Sequence, residues 1–315
     1  MPILSTPPVV PRRFQFSRGS TAPGSATGRR RLLDVQTIGY RVPRTDFSGH
    51  VHSVFAQSCN WACDDTLLTL STARAGNGPT TLRLNPGAPG DLRVLFNPGE
   101  RVDGRQGRVQ TVGNEISLMH AGVWQPAEVD HFVPPALAAA NLCRAGESLA
   151  RRRCTHSSII GREAVPIVTA LQGACLALDI AQATQQVDTL IGWGEGLTPA
   201  GDDFLVGLMA GLDALPQQDE QRRRFRDALA AHLRVPPHRT TPIAVHYLQL
   251  AASGHYSEPL LSLRNALIGA EHADKLDAAL QAALTIGATS GADTVSGLLA
   301  GLAAWMPRPP IALVA

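Results

Sequence analysis

The sequence predicts an α+β protein, with a small antiparallel β domain (a sheet or a barrel) followed by an all-helical domain. Short alternating or β-branched runs, separated by turn formers, fill the chain from about 32 to 133. After Pro134 and Pro135, alanine and leucine recur at helical spacing. A thirteen-residue segment of the second half recurs 90 residues later, which predicts two equivalent helices related by a pseudo-twofold axis.

Residues 1–31 are rich in Arg, Pro, Ser and Gly, which predicts a disordered extension. This segment holds six arginines and no acidic residue, so the overall charge of +2 leaves −4 on the remaining body. We therefore expect no nucleic-acid partner. No apolar run reaches the ~18 residues that a membrane span needs, so we expect no membrane association. Five cysteines are an odd number at low density, which favours the reducing cytoplasm.

The β domain is predicted over 32–133 from five runs with strand character. Glycine, proline and asparagine clusters such as those at 76–79 and 97–99 separate these runs and are typical of turns. Strands at this spacing suggest a small sheet or a barrel. The predicted strands are 51–55, 66–70, 81–84, 92–96 and 115–119.

The helical domain is predicted over 134–315 and carries both copies of the repeat. Thr241 before Pro242 is typical of a helix N-cap followed by a proline in the first turn, and Gly254 is typical of a helix end. The predicted helices are 136–153, 167–187, 204–215, 225–233, 243–252, 260–268, 276–286 and 295–305.

The repeat pairs 200–212 with 290–302, and seven positions match, including three glycines and one aspartate. Glycine inside a helix costs about 1 kcal/mol relative to alanine, so the glycines at i+4 and i+8 from each aspartate need a compensating role. Close approach of the two helices would supply that role. It would also bring the leading carboxylates, Asp203 and Asp293, to one pocket beside two helix N-termini, where backbone N–H groups attract anions.

Two alternatives remain open for these aspartates. The pattern from Ser290 to Asp293 matches a capping box, so Asp293 would only satisfy backbone donors, and Asp202 or Asp203 would do the same. The three aspartates could also hold Mg²⁺ together, since Mg²⁺ binds through few carboxylates. A carboxylate cluster repels phosphate, however. This favours aspartates that accept an amide N–H while backbone amides bind the anionic end of the ligand.

The segment 192–203 reads Gly-Trp-Gly-Glu-Gly-Leu-Thr-Pro-Ala-Gly-Asp-Asp. It resembles the motif Gly-x-Gly-x-Gly-Leu-Thr-Pro-x-Gly-Asp-Asp of a bacterial family of formerly unknown function that includes the AllH-type subunit of oxamate carbamoyltransferase. The segments 286–293 and 49–55 also resemble that family, and the likeness spans roughly 40–305. Glu195 stands where the family has proline, a departure that bears on loop shape and ligand preference.

The resemblance implies a subunit that is active only with partner subunits. That complex interconverts oxalurate and phosphate with oxamate and carbamoyl phosphate in allantoin and purine catabolism. Every participant is a small anion, which agrees with an anion site at helix N-termini. The alternative is a non-catalytic scaffold, or a small-anion-binding protein of a related acyl- or carbamoyl-transfer system. The candidate catalytic residues are Asp202, Asp203 and Asp293, and the candidate substrate-binding residues are Gly194, Gly196, Thr198, Gly201, Ser290 and Gly291, with no metal ligand assigned.

Overall fold

The structure is a computed structural model that describes residues 30–64, 66–129, 131–155, 162–214, 219–236 and 238–306. The chain divides into two compact units, one up to Gln125 and one from Pro126 onward. The α+β class predicted from the sequence is confirmed, with a β-barrel first and helices after it. The predicted N-terminal extension lies outside the described residues except for Arg30 and Arg31, and Arg31 already begins the first strand.

The barrel unit contains nine strands among its described residues. Eight of them close into a barrel in the order β5-β4-β3-β2-β6-β7-β8-β1, because β1 also pairs with β5; β9 extends the pairing of β1 beyond β8. The strands are β1 (Arg31–Gly39), β2 (Phe47–Val54), β3 (Ser58–Cys63), β4 (Thr66–Ser71), β5 (Thr81–Leu84), β6 (Arg101–Arg105), β7 (Arg108–Gln110), β8 (Asn114–Ser117) and β9 (Gly122–Trp124).

The barrel departs from the sequence prediction in three respects. The pairings β1–β8, β1–β9 and β4–β5 are parallel, so the expectation of a purely antiparallel sheet is wrong. The predicted strand at 92–96 is instead a 3₁₀ turn, Leu92–Val94, because the Asp91 carboxylate accepts the N–H of Arg93 and caps the turn. A tight hairpin at Gln106 and Gly107, both with positive φ, joins β6 to β7, which the sequence analysis missed.

The barrel interior buries Trp61 and Phe96, whose rings meet edge to face at 6.3 Å. Cys59 and Cys63 are buried free thiols on β3. Burial raises the pKa of each thiol to about 12, so both stay protonated at neutral pH. In this form each thiol packs as a small apolar side chain in the barrel interior.

The second unit has nine α-helices in its described part, and none of them combines the length and apolarity that crossing a bilayer requires. The predicted helix 167–187 is two helices, since Leu178 adopts a left-handed conformation with φ of 58° and Asp179 caps the next helix. The helices are α1 (Pro135–Thr155), α2 (Val165–Ala177), α3 (Ile180–Leu190), α4 (Ala200–Leu212), α5 (Glu220–His232), α6 (Pro242–Ala252), α7 (Glu258–Ile268), α8 (Leu276–Leu284) and α9 (Ser290–Trp305).

Candidate functional site

Helices α4 and α9, the two copies of the repeat, pack against each other through their glycines. A Cβ atom on Gly207 would lie 1.9 Å from the carbonyl oxygen of Thr294, and a Cβ on Gly297 would lie 1.9 Å from that of Phe204. Backbone atoms cannot yield at that distance, so only glycine fits at either position. The two contacts are equivalent, because in the 90-residue repeat Gly207 corresponds to Gly297 and Phe204 corresponds to Thr294.

The two helices run in the same direction. One turn further along, a Cβ on Gly211 would lie 2.9 Å from the Cα of Gly301, so the contact points advance together along both helices. Parallel packing puts both N-termini at the same end of the pair. Because each N-terminus carries a partial positive charge, the electrostatic potential at that end favours anions.

A second pair of glycines lets each N-terminus approach the chain that precedes it. The N–H of Gly201 donates to the carbonyl of Trp193, and the N–H of Gly291 donates to that of Ile286, both at 2.9 Å. A Cβ on Gly201 would lie 2.0 Å from the Leu190 carbonyl oxygen. These two N–H groups are therefore already bound within the chain, and the glycines serve close packing.

Asp203 stands on the first turn of α4, and only 8% of its surface is exposed. The hydroxyls of Thr198 and Ser290 are hydrogen-bonded to its carboxyl group, and these two hydroxyl oxygens lie 2.8 Å apart. The Oδ2 atom of Asp203 is buried and has no hydrogen-bond partner among the described residues. Residues from the glycine-rich loop, α4 and α9 thus meet around one incompletely satisfied carboxylate.

Burial is the main reason that the pKa of Asp203 rises from 3.8 to about 7. The hydrogen bonds with the two hydroxyls lower the pKa but do not outweigh desolvation, and the charge of the nearby Asp202 adds a smaller increase. Each hydroxyl has only one proton to donate. If one hydroxyl of the Thr198–Ser290 pair donates to the other, only one proton of the pair is left for the carboxylate. A proton on Asp203 completes this set of hydrogen bonds, and near pH 7 the carboxyl group can hold or release it.

Asp202 occupies a different environment from Asp203. It is 1% exposed, and both of its oxygens are satisfied: Oδ1 accepts the N–H of Gly192 at 3.1 Å and Oδ2 accepts the hydroxyl of Thr240 at 2.5 Å. Burial raises its pKa as well, whereas these two bonds lower it. Its contacts are those of a residue that holds the preceding loop in place.

Asp293 lies on the first turn of α9 and is fully buried, at 0% exposure. The N-cap residues of α4 and α9 are Pro199 and Thr289, and neither makes a side-chain capping bond, so the capping box that starts at Ser290 is not formed. The hydroxyl of Ser290 lies instead against Thr198. Asp202 likewise accepts from the loop before its helix and not from the helix itself.

The loop 192–199 brings the exposed glycines Gly194 and Gly196 to the same end of the helix pair. Both adopt positive φ, 106° and 96°, a conformation that side-chain-bearing residues rarely take. At Gly194 a Cβ would also lie 2.9 Å from the amide nitrogen of Ala200. The loop therefore presents main-chain atoms to solvent beside Asp203.

The described residues contain no group of three His, Cys, Asp or Glu side chains that could hold a metal ion. The alternative in which Asp202, Asp203 and Asp293 jointly bind Mg²⁺ thus has no support from their positions. The two bonds that Asp202 already makes account for its carboxylate.

A depression with a volume of about 490 Å³ lies elsewhere in the helical unit and is lined mainly by α1, α2 and α9. Its lining is mostly apolar, and Cys143 is the only ionisable side chain among the described residues that form it. This lining carries no charged side chain, whereas the paired N-termini of α4 and α9 attract anions. We therefore assign the candidate site to the Asp203 end of α4 and α9 and not to this depression.

Sequence reasoning missed Thr240 as a partner of Asp202 and Thr241 as a donor to the carbonyl of Leu197, at 2.5 Å. The pattern Thr-Thr-Pro predicted an N-cap, and Thr241 does cap α6 by accepting the N–H of Ala244. The sequence does show a second threonine, Thr240, beside the cap. Its contact with Asp202 becomes evident only when folding places the loop 192–199 next to it.

The fold and the site together define an α+β protein with a barrel unit and a helical unit whose paired helix N-termini surround a buried carboxyl group. The chain belongs to the AllH family. The model described as "Oxamate carbamoyltransferase subunit AllH" matches residues 190–302, and that described as "AllH family N-terminal domain" matches residues 27–123. Membership as a subunit implies other subunits. No curated protein and no solved structure matches the chain.

The raised pKa of Asp203 predicts a specific pH dependence of stability. Between about pH 4 and pH 7 the folded protein keeps a proton that the unfolded chain releases, so stability falls as pH rises and levels off above 7. Asp203→Asn removes this term. Relative to that variant, wild type should lose on the order of 2–4 kcal/mol of unfolding free energy over this range.

Urea unfolding of both proteins at several pH values measures this difference. Asp227→Asn, at a side chain that is 64% exposed, is the control: it keeps Asp203, so its stability should fall with pH in parallel with that of wild type. A wild-type curve parallel to that of Asp203→Asn from pH 4 to 7 would contradict the raised pKa.

Proposed function

We propose that this chain is a ligand-binding subunit of an oxamate carbamoyltransferase-type complex, in which oxalurate and phosphate are interconverted with oxamate and carbamoyl phosphate. The observation that carries the proposal is Asp203, a buried carboxyl group with an unsatisfied Oδ2 where two helix N-termini meet. A buried oxygen without a partner is costly: in the ionised form of Asp203 the amide N–H of a ligand supplies the missing donor, and in the neutral form the carboxyl proton bonds to the ligand instead. The exposed main chain at Gly194 and Gly196 then faces the carboxylate end of the ligand.

Asp203 also has chemistry that suits the reaction. A phosphate oxygen attacks the carbamoyl carbon of oxalurate, the bond from that carbon to the inner nitrogen breaks, and the nitrogen gains a proton to leave as oxamate. A carboxyl group with a pKa of about 7 can donate that proton at neutral pH. The hydroxyls of Thr198 and Ser290 contact Asp203 and are placed to orient the amide.

The other candidate residues take supporting roles in this proposal. Gly201 and Gly291 allow the close packing of the two helix starts, and Asp202 holds the loop. Asp293, fully buried at the start of α9, is the counterpart of Asp203 in the second copy of the repeat. The 90-residue offset of the glycine contacts supports a local pseudo-twofold axis between α4 and α9. A role in purine catabolism in the cytoplasm follows from the same proposal.

Calorimetric titration with oxamate, oxalurate and carbamoyl phosphate tests the ligand assignment. The titration is run on the chain alone and on the chain with its partner subunits, each with and without Mg²⁺. We expect saturable binding of oxamate or oxalurate to the assembled complex. Absence of binding for all three compounds in every condition would remove the assignment.

The second candidate is a non-catalytic scaffold, which the tight backbone packing of α4 on α9 favours because it accounts for the glycine stripes without a ligand. A scaffold does not need a carboxylate at Asp203. The two candidates therefore differ in the activity of a complex that carries Asp203→Asn.

A further inference from the structure

The dipeptide Thr240–Thr241, just before α6, is linked to both ends of the glycine-rich loop 192–198, to its start through Asp202 and near its end directly. The hydroxyl of Thr240 donates to Asp202, whose other oxygen accepts the N–H of Gly192 at the start of the loop. The hydroxyl of Thr241 donates to the carbonyl of Leu197 near its end. Two adjacent hydroxyls thus tie down a loop whose central glycines, at 194 and 196, are exposed.

The first tie runs through a buried carboxylate, each of whose two oxygens already accepts a hydrogen bond. Asp202 is 1% exposed, and Thr240 lies 2.5 Å from its Oδ2. A hydrogen bond to a buried carboxylate is stronger than one between neutral groups. The tie therefore holds Gly192 against α4 and fixes where the loop begins.

The second tie is anchored in a helix. The oxygen of Thr241 accepts the N–H of Ala244 at 3.1 Å, which caps α6, and its proton goes to Leu197 at 2.5 Å. Leu197 immediately precedes Thr198, whose hydroxyl contacts Asp203 and Ser290. Displacement at Leu197 is therefore passed to the hydroxyl that bonds the candidate catalytic carboxyl group.

We propose that Thr240 and Thr241 are positioning residues for the ligand site, and we name this pair the threonine clasp. The clasp fixes both ends of the loop 192–198, so that Thr198 stays against Asp203 and the main chain at Gly194 and Gly196 faces the carboxylate of the ligand. This inference rests on the proposed function. It adds two residues outside the motif of the family resemblance, on a different segment of the chain.

Three substitutions separate the two ties. Thr240→Val keeps the shape of the side chain and removes the donor to Asp202. Thr241→Asp keeps an oxygen that caps α6 but has no proton for Leu197, so any effect on the loop does not arise from a lost cap. Thr240→Ser restores the hydroxyl. Thr189→Val, at an exposed threonine that bonds only to the carbonyl of Gln185, is the matched control.

Hydrogen exchange of the amides in 193–198 and calorimetric titration with oxamate, both on the assembled complex, are the two measurements. Loss of one such bond is expected to speed loop exchange about 10- to 100-fold and to weaken oxamate binding by a similar factor in Thr240→Val and Thr241→Asp. Thr240→Ser should return both values to near those of wild type, and Thr189→Val should change neither.

The outcomes distinguish the clasp from the function on which it rests. Loop exchange in Thr240→Val and Thr241→Asp equal to that in Thr189→Val overturns the clasp. Faster loop exchange with unchanged oxamate affinity shows a tie of purely structural value, and it overturns the positioning role. Wild type that binds none of the three ligands overturns the proposed function, and faster loop exchange would then still establish the tie.

Discussion

Alanine at Gly207 or at Gly297 is expected to destabilise the helical unit by about 3 kcal/mol or more, or to prevent it from folding. In either variant the new methyl group would lie 1.9 Å from a carbonyl oxygen of the facing helix, and backbone atoms cannot move aside without separating α4 from α9. Separation would also pull the two helix N-termini apart. Ligand binding should therefore be lost together with stability.

Denaturant unfolding of the helical unit measures this effect, and another helical glycine supplies the control. Gly173 in α2 is exposed and would have no atom within 4 Å of a new Cβ, so Gly173→Ala should stabilise by up to about 1 kcal/mol. If Gly207→Ala and Gly173→Ala were equally stable, the two helices would not pack as described.

Asp203→Asn is expected to leave a folded protein and to lower the activity of the assembled complex by at least about a hundredfold. A buried carboxyl group whose pKa is near 7 is partly neutral already, so asparagine fits the same space without a large loss of stability. Asparagine cannot donate a proton to a leaving nitrogen, and the loss of one catalytic proton transfer typically costs 10²–10⁴-fold in rate.

Steady-state carbamoyl transfer by the complex, together with the melting temperature of the variant, tests this expectation. Asp227→Asn serves again as the exposed control. A fully active complex with Asp203→Asn would exclude a catalytic role and favour the scaffold. Lost activity in an unfolded variant would not separate the two, which is why the melting temperature is measured on the same sample.

Much of the helical unit could be predicted because helical periodicity and end signals are local. Thr241 and Pro242 predicted the start of α6, and α6 does begin at Pro242 with Thr241 as its cap. The break at Leu178 was missed, since a left-handed leucine leaves no mark in a hydrophobic pattern. The barrel was harder: β1, β3, β6, β7 and β9 were missed, and its parallel pairings depend on partners distant in sequence.

The candidate site, too, was predicted in part from the sequence and in part not. The repeat and its aspartates were readable from the chain, and the geometry confirms that α4 and α9 meet along their glycines with both N-termini at one end. The sequence separated Asp203 from Asp202 by its match to Asp293 and its place on the glycine face, but it did not show that their hydrogen bonding differs. Only folding gives the first two complete bonds and leaves Oδ2 of the second without one.

The sequence by itself was thus sufficient to predict the helix positions, the duplicated motif and the glycines through which its two helices pack. Helix preference and the space for close approach depend directly on residue type. The protonation of Asp203, the two ties of the threonine clasp and the closure of the barrel depend on groups that the chain brings together from 38 or more residues apart. Burial of these groups and the hydrogen bonds between them exist only in the folded molecule, so only the tertiary structure determines their contribution to stability.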